Sequence, residues 1–221
     1  MSIEIAGAIF DMDGTLVDSM GAWYNDGARY LARLGIEAEP NLGTKLFSAN
    51  TYTGALYIRD RYNLDKTVEE VTQGLIDEMA WFYRSDAEFC PGAKELLDDL
   101  HAKGIPMTIV TSTDRGNVHL VLSRLGVLDY FMETYSAGDL HMSKTEPDIF
   151  MLAAEKMGTK PEDTWVFEDG LYAVKVAKAA GFKTIGVYDY ISDARSEELK
   201  NTVDIYVDTL PELPEFVLKK A

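Results

Sequence analysis

The chain has 221 residues, of which 47% are hydrophobic, and a formal net charge of -16. Its length suits one large domain, or a core domain that carries a smaller insert. A surface with this excess of acidic residues and no basic stripe repels nucleic acids and anionic membranes, so we expect neither as a partner. Small phosphorylated metabolites remain possible partners, because a local cation can hold them.

The cysteine content and the apolar runs of the sequence indicate the cellular compartment in which we expect the protein. Cys90 is the single cysteine of the sequence, so an internal disulfide framework is excluded. No apolar run approaches the ~20 residues that span a bilayer. Glu4 and the lack of a basic segment argue against a signal peptide at the N-terminus. We therefore expect a cytoplasmic protein, which we further expect to be a monomer.

The first predicted element is a strand, and helices follow it. The apolar run "GAIFDMD" (residues 7–13) predicts a buried strand. The first helix is expected to begin after Asp18 or Ser19 as an N-cap and to stop at Gly35. Helical patterns continue to about residue 85, and in "TVEEVTQGLIDEMAWFYR" the apolar residues lie on one face, at Val68, Val71, Leu75, Met79 and Phe82.

The pattern changes at Pro91 and Gly92, after which strands and helices alternate. Strands are predicted at "PMTIVTS", "YFMETYSA", "TWVFEDG" and "KTIGV", and the tail "DIYVDTLPELPEFVLKK" predicts a last strand and helix. Such alternation, with nearly continuous apolar strands, is typical of a parallel sheet with helices on both faces. The sequence therefore predicts the α/β class, with a three-layer core formed by residues 1–16 and 89–221 and an all-helical insert at residues 17–88.

Residues able to perform chemistry follow the predicted strands, and in a sheet of this kind the carboxyl ends of the strands meet at one edge. They comprise four carboxylates, two hydroxyls and one ammonium: Asp11, Asp13, Glu168, Asp169, Thr111, Ser112 and Lys144. Four carboxylates at one place require a cation, and ligands that are all oxygen favour Mg²⁺. The lack of a Cys/His cluster in the sequence argues against zinc.

The same residues describe a phosphate site. Lys144 supplies a positive charge and can pair with Asp11, while Thr111 and Ser112, with the free amides of a strand-to-helix turn, form an anion cradle. Mg²⁺ and Lys144 offset the negative charge of a phosphate ester, so that Asp11 can attack phosphorus and become an aspartyl-phosphate. Asp13 would protonate the leaving oxygen and then activate water.

With these motifs, the sequence resembles the haloacid dehalogenase-like hydrolase superfamily along essentially its whole length. The resemblance rests on "DMDGTLVDS", "IVTSTDR", "SKTEPDIF" and "VFEDGLYAVKVAKAAG", and it is greatest to the β-phosphoglucomutase-like phosphatases with a helical cap. It implies a Rossmann-like core and a mobile helical cap. It also implies that Mg²⁺ is held by Asp11, Asp169 and the backbone carbonyl of Asp13, with Glu168 in or beside the coordination sphere.

The sequence departs from the family pattern at several positions. Thr145 follows Lys144 where family members often have proline, and Gly170 follows Asp169 where they often have serine. Both changes leave the charges intact. A sugar phosphomutase of this type has a histidine about where Trp23 stands and a phosphate-binding arginine in the cap loop, which here reads "KLFSANTYTGAL". Neither residue is evident in this sequence.

The motifs and the resemblance predict a Mg²⁺-dependent phosphatase that hydrolyses a small phosphorylated metabolite, such as a sugar phosphate, through an aspartyl-phosphate at Asp11. One alternative is a sugar phosphomutase of the β-phosphoglucomutase type, whose cap would have to hold a second phosphate. Another is a catalytically silent phosphate-binding regulatory protein, which predicts the loss of the nucleophile or the proton donor. Asp13 argues against a dehalogenase, because dehalogenases of the superfamily lack the second aspartate.

Two further hypotheses concern the cap. Hinges are expected at Gly14 and Thr15 and in residues 88–92, so that the cap can close over the substrate and exclude water. Five polar or aromatic residues could face the substrate, or lie in the cap core instead: Trp23, Tyr24, Ser48, Asn50 and Tyr52.

Overall fold

The computed structural model describes residues 2–46, 51–191 and 196–219. The chain divides into two compact units. One unit consists of Met1–Asp18 together with Glu88–Ala221, and the other consists of Ser19–Ala87. Within the described ranges, no helix has both the length and the apolar character needed to cross a membrane.

The unit Ser19–Ala87 is helical. It contains α1 (Met20–Arg33), α2 (Leu42–Leu46), α3 (Thr51–Arg61) and α4 (Val68–Ser85). Helix α1 begins after Ser19 and ends before Gly35, as predicted, although the side chain of Ser19 makes no capping hydrogen bond. Helix α4 packs against α1 and α3, and its predicted apolar face is confirmed by the burial of Val68, Val71, Leu75, Met79 and Phe82.

The other unit is built on a parallel sheet, which confirms the predicted α/β class. Six strands pair in parallel in the order β4-β3-β2-β5-β6-β7, and β1 pairs with β8 in a separate two-stranded sheet. Strands β2, β3 and β5 are buried along their whole length, which explains their nearly continuous apolar sequences. The strands are β1 (Ile3–Ile5), β2 (Gly7–Phe10), β3 (Met107–Thr111), β4 (Glu133–Ser136), β5 (Thr164–Glu168), β6 (Lys183–Val187), β7 (Ile205–Val207) and β8 (Phe216–Leu218).

Both faces of the six-stranded sheet are covered by apolar side chains. On one face Ile9, Val110 and Val166 share a core cluster with residues of α7 and α8. Successive side chains of a strand point to opposite faces, and on the other face the rings of Phe10 and Phe167 stack with their centroids 4.3 Å apart. The helices of this unit are α5 (Ala93–Ala102), α6 (Arg115–Arg124), α7 (Asp148–Met157), α8 (Leu171–Ala179) and α9 (Ser196–Thr202).

The C-terminal tail differs from the prediction. A strand followed by a helix is predicted there, but the segment after β7 forms a short 3-10 helix, Leu210–Glu212, and then strand β8. Pro211 and Pro214 explain the difference, because proline lacks the amide donor and restricts the residue before it to extended conformations. Strand β8 pairs with β1, a strand that the sequence pattern did not reveal, and it buries Phe216.

The two chain segments at the border between the units are joined to each other within the sheet unit. The amide of Asp18 donates to the carbonyl of Glu88 at 3.0 Å, and the amide of Cys90 donates to the carbonyl of Leu16 at 2.8 Å. Gly14, with φ of +81°, forms a turn in which its amide donates to Val17. The hinge role of these segments stays a prediction.

Two carboxyl groups are buried in the helical unit. Asp26 on α1 and Glu78 on α4 are 7% and 4% exposed. Glu78 forms an ion pair with Arg33, and its Oε2 lies 3.8 Å from Nε of Arg29. Burial and, to a lesser extent, the charge of Glu78 raise the pKa of Asp26, Arg29 lowers it, and the resulting pKa is about 8. Asp26 is therefore largely a neutral acid in the folded protein at pH 7.

We expect Asp26→Asn to make the helical unit less sensitive to pH. Because folding raises the pKa of Asp26, this group contributes its full stability below its unfolded pKa near 4 and loses it as the pH rises through about 8. In urea denaturation, the free energy of unfolding of the variant should exceed that of the wild type by about 2–4 kcal/mol at pH 8 and by much less at pH 4.

The matched control is Asp77→Asn, which removes an exposed carboxylate from the same helix as Glu78. It should change the free energy of unfolding by less than about 0.5 kcal/mol at both pH values. An equal effect of Asp26→Asn at pH 4 and pH 8 would contradict the assignment of a buried neutral carboxyl.

Candidate active site

Three carboxyl groups meet at the carboxyl edge of the parallel sheet. Asp11 follows β2, while Glu168 ends the neighbouring strand β5 and Asp169 follows it. All three residues are buried, and each offers an oxygen within 4.8 Å of the others. The amide of Asp11 donates to the carbonyl of Phe167 at 2.9 Å, which fixes the end of β2 against β5.

Lys144 is the positive charge of this cluster. It lies in the segment between β4 and α7 and is 3% exposed. Its Nζ donates a hydrogen bond to Oδ1 of Asp11 at 2.6 Å and contacts Oε2 of Glu168 at the same distance as an ion pair. The structure thus places Lys144 between the ends of two neighbouring strands.

The cluster shifts the pKa values of Asp11, Asp169 and Lys144. Burial and, next, the charge of Glu168 raise the pKa of Asp11, Lys144 lowers it, and the resulting pKa is about 8. Burial, followed by the charges of Asp11 and Glu168, also raises the pKa of Asp169. Burial by itself lowers the pKa of Lys144, but Asp11 and Glu168 outweigh it and hold that pKa well above its usual value. The cluster therefore carries more acidic groups than its one ammonium can neutralise.

These residues fit a hard divalent cation. Asp11, Glu168 and Asp169 offer only oxygen ligands, as Mg²⁺ prefers. Oε2 of Glu168 is buried, and its one partner among the residues that the structure describes is the ammonium of Lys144, with which it forms an ion pair. The carboxylate of Asp13 is not a member of this group, and the predicted ligand role of its backbone carbonyl stays a prediction.

Asp13 is held by a residue that the sequence reasoning missed. Oγ1 of Thr113 donates to Oδ2 of Asp13 at 2.6 Å, and Thr113 is 5% exposed. The two residues stand 100 positions apart in the chain. The hydroxyl-rich run "VTSTD" is the sequence signal that could have included Thr113, but only the fold shows that its hydroxyl reaches Asp13.

The two predicted phosphate-binding hydroxyls differ in their surroundings. Thr111 is 1% exposed and its Oγ1 accepts a hydrogen bond from the amide of Thr113. Ser112 is exposed. Helix α6 is capped by Asp114, whose Oδ1 accepts from the amide of Asn117 at 2.9 Å. The structure therefore brings Thr111 and Ser112 to the sheet edge without using their side chains as the helix cap.

Comparison of the sequence with profiles of known protein families shows the family of this chain. The profile of the haloacid dehalogenase-like hydrolases matches residues 8–187, which is most of the chain. The chain belongs to this hydrolase family. The matched region contains every predicted site residue, from Asp11 to Asp169.

Relatives of this hydrolase include two phosphatases. Phosphoglycolate phosphatase of Shigella dysenteriae is 31% identical over 211 residues, covering 85% of this chain and 83% of the relative. Phosphorylated carbohydrates phosphatase of Thermotoga maritima is 25% identical over 189 residues, covering 85% and 88%. The structure of β-phosphoglucomutase from Clostridium difficile has the same fold, with a TM-score of 0.70, 21% identity and coverage of 95% and 93%.

Tyr172 is a second residue that the sequence reasoning missed in this hydrolase. It is the second residue of α8, and a Cβ added at Gly170 would lie 3.1 Å from its ring. Burial raises the pKa of its hydroxyl, Lys144 opposes this, and the charges of Glu168 and Asp11 add to it. The phenol end of Tyr172 therefore lies near the charged cluster.

The five residues proposed for substrate contact in the cap have different surroundings. Nε1 of Trp23 donates to the hydroxyl of Tyr83 at 3.0 Å, and the hydroxyls of Tyr24 and Thr44 lie 2.6 Å apart. Trp23 and Tyr24 thus have partners within the helical unit itself. Tyr52 is 52% exposed. The other two, Ser48 and Asn50, lie outside the described residues.

We expect Lys144→Met to destabilise the hydrolase strongly. The variant leaves Asp11 and Glu168 buried without a counter-charge, and breaking a buried ion pair in this way costs about 3–5 kcal/mol. Urea denaturation at pH 8 in EDTA should show this loss. The loss should shrink at pH 5, where the carboxyl groups take up protons.

Lys94→Met is the matched control, because Lys94 pairs with Asp98 at a similar distance of 2.6 Å on the exposed surface of α5. Its effect should stay below about 1 kcal/mol. If Lys144→Met and Lys94→Met lower the free energy of unfolding equally, the burial of the Lys144 ion pairs does not increase the cost of breaking them.

Proposed function

We propose that this hydrolase is a Mg²⁺-dependent phosphatase that acts on a small phosphorylated metabolite, a sugar phosphate or a similar compound. The observation that carries the proposal is the pairing of Lys144 with both Asp11 and Glu168, beside Asp169, at the carboxyl edge of the sheet. The names of the two related phosphatases support a phosphate ester as the substrate. We further infer that Ser19–Ala87 is the cap domain.

Asp11 is the proposed nucleophile. Its Oδ1 is held by Lys144, so the carboxylate has a fixed orientation at the end of β2. With a pKa of about 8, Asp11 would be largely protonated at pH 7 without further positive charge. Mg²⁺ bound by Asp11, Glu168 and Asp169 would supply that charge and offset the charge of the phosphate. Attack by Asp11 on phosphorus would then give an aspartyl-phosphate.

Asp13 is the proposed general acid and base. It stands two residues after Asp11, and its Oδ2 accepts a hydrogen bond from the hydroxyl of Thr113. In the first step it would protonate the ester oxygen that leaves, and in the second it would take a proton from the water that attacks the aspartyl-phosphate. The hydrogen bond from Thr113 to Oδ2 would orient the carboxyl group of Asp13 for these proton transfers.

The phosphate oxygens would be bound by Lys144 and the loop after β3. Lys144 carries a positive charge that its carboxylate neighbours stabilise. Thr111 and Ser112 stand at the turn before α6, where backbone amides favour an anion. The predicted cytoplasmic location and monomeric state rest on the sequence alone.

We expect purified protein to release phosphate from some members of a panel of sugar phosphates, nucleotides and small phosphorylated acids. Release should require Mg²⁺, stop in EDTA and fall by more than about 10³-fold in Asp11→Asn, because loss of the nucleophile removes the covalent route. Asp129→Asn, which changes an exposed aspartate away from the site, is the control and should keep full activity.

The same assay separates the other candidate functions. Products are analysed for isomerised substrate as well as for free phosphate. If the substrate is isomerised without net release of phosphate, the protein is a mutase and the proposal of a phosphatase is wrong. Binding of phosphate esters without turnover of any of them would identify a silent binding protein.

We expect Thr113→Val to lower kcat while leaving KM nearly unchanged. The variant keeps the shape of the side chain but removes the hydrogen bond to Asp13, and a hydrogen bond to a charged group is worth about 1.5–3 kcal/mol, or roughly 10–100-fold in rate. Thr113→Ser retains the hydroxyl and should retain most of kcat. If serine and valine lower kcat equally, the hydroxyl of Thr113 does not position Asp13.

A further inference from the structure

Lys144 belongs to a surface segment but is itself buried. Residues 138–147, all of which the structure describes, lie between β4 and α7, and Lys144 is the one buried residue among them. Leu140 and Met142 are 41% and 37% exposed, whereas Lys144 is 3% exposed. This inverts the usual preference, because a lysine is almost never fully buried unless it is paired. The segment must therefore hold the lysine where its ammonium can reach the ends of β2 and β5.

Lys144 lies within a tight turn that side chains close. The amide of Glu146 donates to the carbonyl of Ser143 at 3.2 Å, which forms a turn over residues 143–146. The amide of Thr145 donates to Oγ of Ser143 at 3.1 Å. The hydroxyl oxygens of Ser143 and Thr145 lie 2.7 Å apart and share a second hydrogen bond. We refer to these last two hydrogen bonds as the hydroxyl clasp, which joins the residues on either side of Lys144.

The hydroxyl clasp depends on the residue at position 145. Hydroxyls of serine and threonine that bond to nearby backbone groups stabilise turns in this way. A proline at position 145, as family members often have, has neither an amide donor nor a hydroxyl, so it could form neither bond of the clasp. Thr145 therefore restrains this turn through its two hydrogen bonds to Ser143.

The ammonium of Lys144 has two competing environments. In the structure, Nζ lies 2.6 Å from Oδ1 of Asp11 and 2.6 Å from Oε2 of Glu168. The alternative is bulk water, which solvates an ammonium strongly and lies close to a segment whose other residues are exposed. The four-carbon stem of lysine is flexible, so the side chain does not fix its own position. The backbone around Lys144 must supply the restraint.

We propose that Ser143 and Thr145 are positioning residues for Lys144, and that the hydroxyl clasp keeps its ammonium between Asp11 and Glu168 instead of in solvent. The two bonds of the clasp form when the turn is closed, so they favour the state in which the ammonium is buried. Each such hydrogen bond shifts an equilibrium by about 2–10-fold. The kinetic consequence of this proposal rests on the proposed phosphatase function.

The first test measures how fast Lys144 is acetylated in EDTA, without substrate. The full-length protein is treated at pH 8 with an acetyl N-hydroxysulfosuccinimide ester, and peptide mass spectrometry gives the rate at each lysine. Ser143→Ala removes both bonds of the clasp and should raise the rate at Lys144 by about 4–100-fold. Thr145→Val removes the bond between the hydroxyls and should raise this rate by about 2–10-fold. Ser143→Thr keeps the hydroxyl and should retain a rate close to that of the wild type.

Two controls distinguish the clasp from a general loosening of the protein. Lys94, on the exposed surface of α5, should be acetylated at the same rate in every variant. Thr67→Ala removes a hydroxyl that accepts an amide hydrogen bond at the same distance of 3.1 Å in the helical unit, and it should leave the rate at Lys144 unchanged. An unchanged rate at Lys144 in Ser143→Ala, or an equal rise in Thr67→Ala, would overturn the proposal.

The second test measures kcat/KM with Mg²⁺ and an ester that the wild type hydrolyses. Without the clasp the ammonium of Lys144 is displaced, and a misplaced group of this kind costs about 10–100-fold in rate. Ser143→Ala should lower kcat/KM by this factor, and Ser143→Thr should keep most of it. If Ser143→Ala speeds the acetylation of Lys144 but leaves kcat/KM unchanged, the clasp does not position Lys144 for the reaction and the proposal is wrong.

The outcomes separate this inference from the proposed function. If the wild type hydrolyses no ester of the panel, the phosphatase function fails, while the acetylation rates still decide whether the clasp holds Lys144. If the wild type hydrolyses esters but Ser143→Ala changes neither acetylation nor kcat/KM, the phosphatase stands and the role of the clasp is overturned. Circular dichroism checks the fold of each variant, and Thr145→Val gives the same test if Ser143→Ala unfolds.

Discussion

The ion pairs of Lys144 hold the candidate site together. Its ammonium lies 2.6 Å from a carboxylate oxygen of Asp11 and 2.6 Å from one of Glu168, and all three side chains are buried. A buried carboxylate without a partner is costly, so the ends of β2 and β5 can carry these groups only while the segment after β4 delivers the lysine. One ammonium does not balance Asp11, Glu168 and Asp169, and this imbalance favours a bound divalent cation.

The order of the strands explains why chemistry is concentrated at this edge. Strands β3, β2 and β5 are neighbours at the centre of the sheet, and each is buried along its length. Their carboxyl ends bring Thr111, Asp11 and Glu168 side by side, although the chain separates Asp11 from Thr111 by 100 positions and from Glu168 by 157 positions. Parallel pairing requires long crossovers between neighbouring strands, and the helical unit Ser19–Ala87 lies within the crossover from β2 to β3.

Two side chains near this site come from outside the strands: Thr113 lies in the loop after β3, and Tyr172 belongs to helix α8. Thr113 donates a hydrogen bond to Asp13, while the ring of Tyr172 lies beside Gly170 at the start of α8. Neither residue has a chemical type that marks it as functional, because a threonine or a tyrosine near a helix start is common in any protein. The sequence likewise does not indicate why position 170 is a glycine. The structure shows that a Cβ at this position would come close to the ring of Tyr172.

The α/β class and the helices between β2 and β3 could be predicted from the amino-acid sequence, because continuous apolar strands and the spacing of helical faces are local properties. The charged residues at the strand ends could be predicted as well, because they directly follow those strands in the chain. Local patterns were insufficient for β1 and β8, which are three residues long and are stabilised by pairing with each other across the chain. The same reason applies to the hydrogen bond from Thr113 to Asp13. Contacts between distant residues depend on side-chain distances of a few ångströms, and only the tertiary structure decides these.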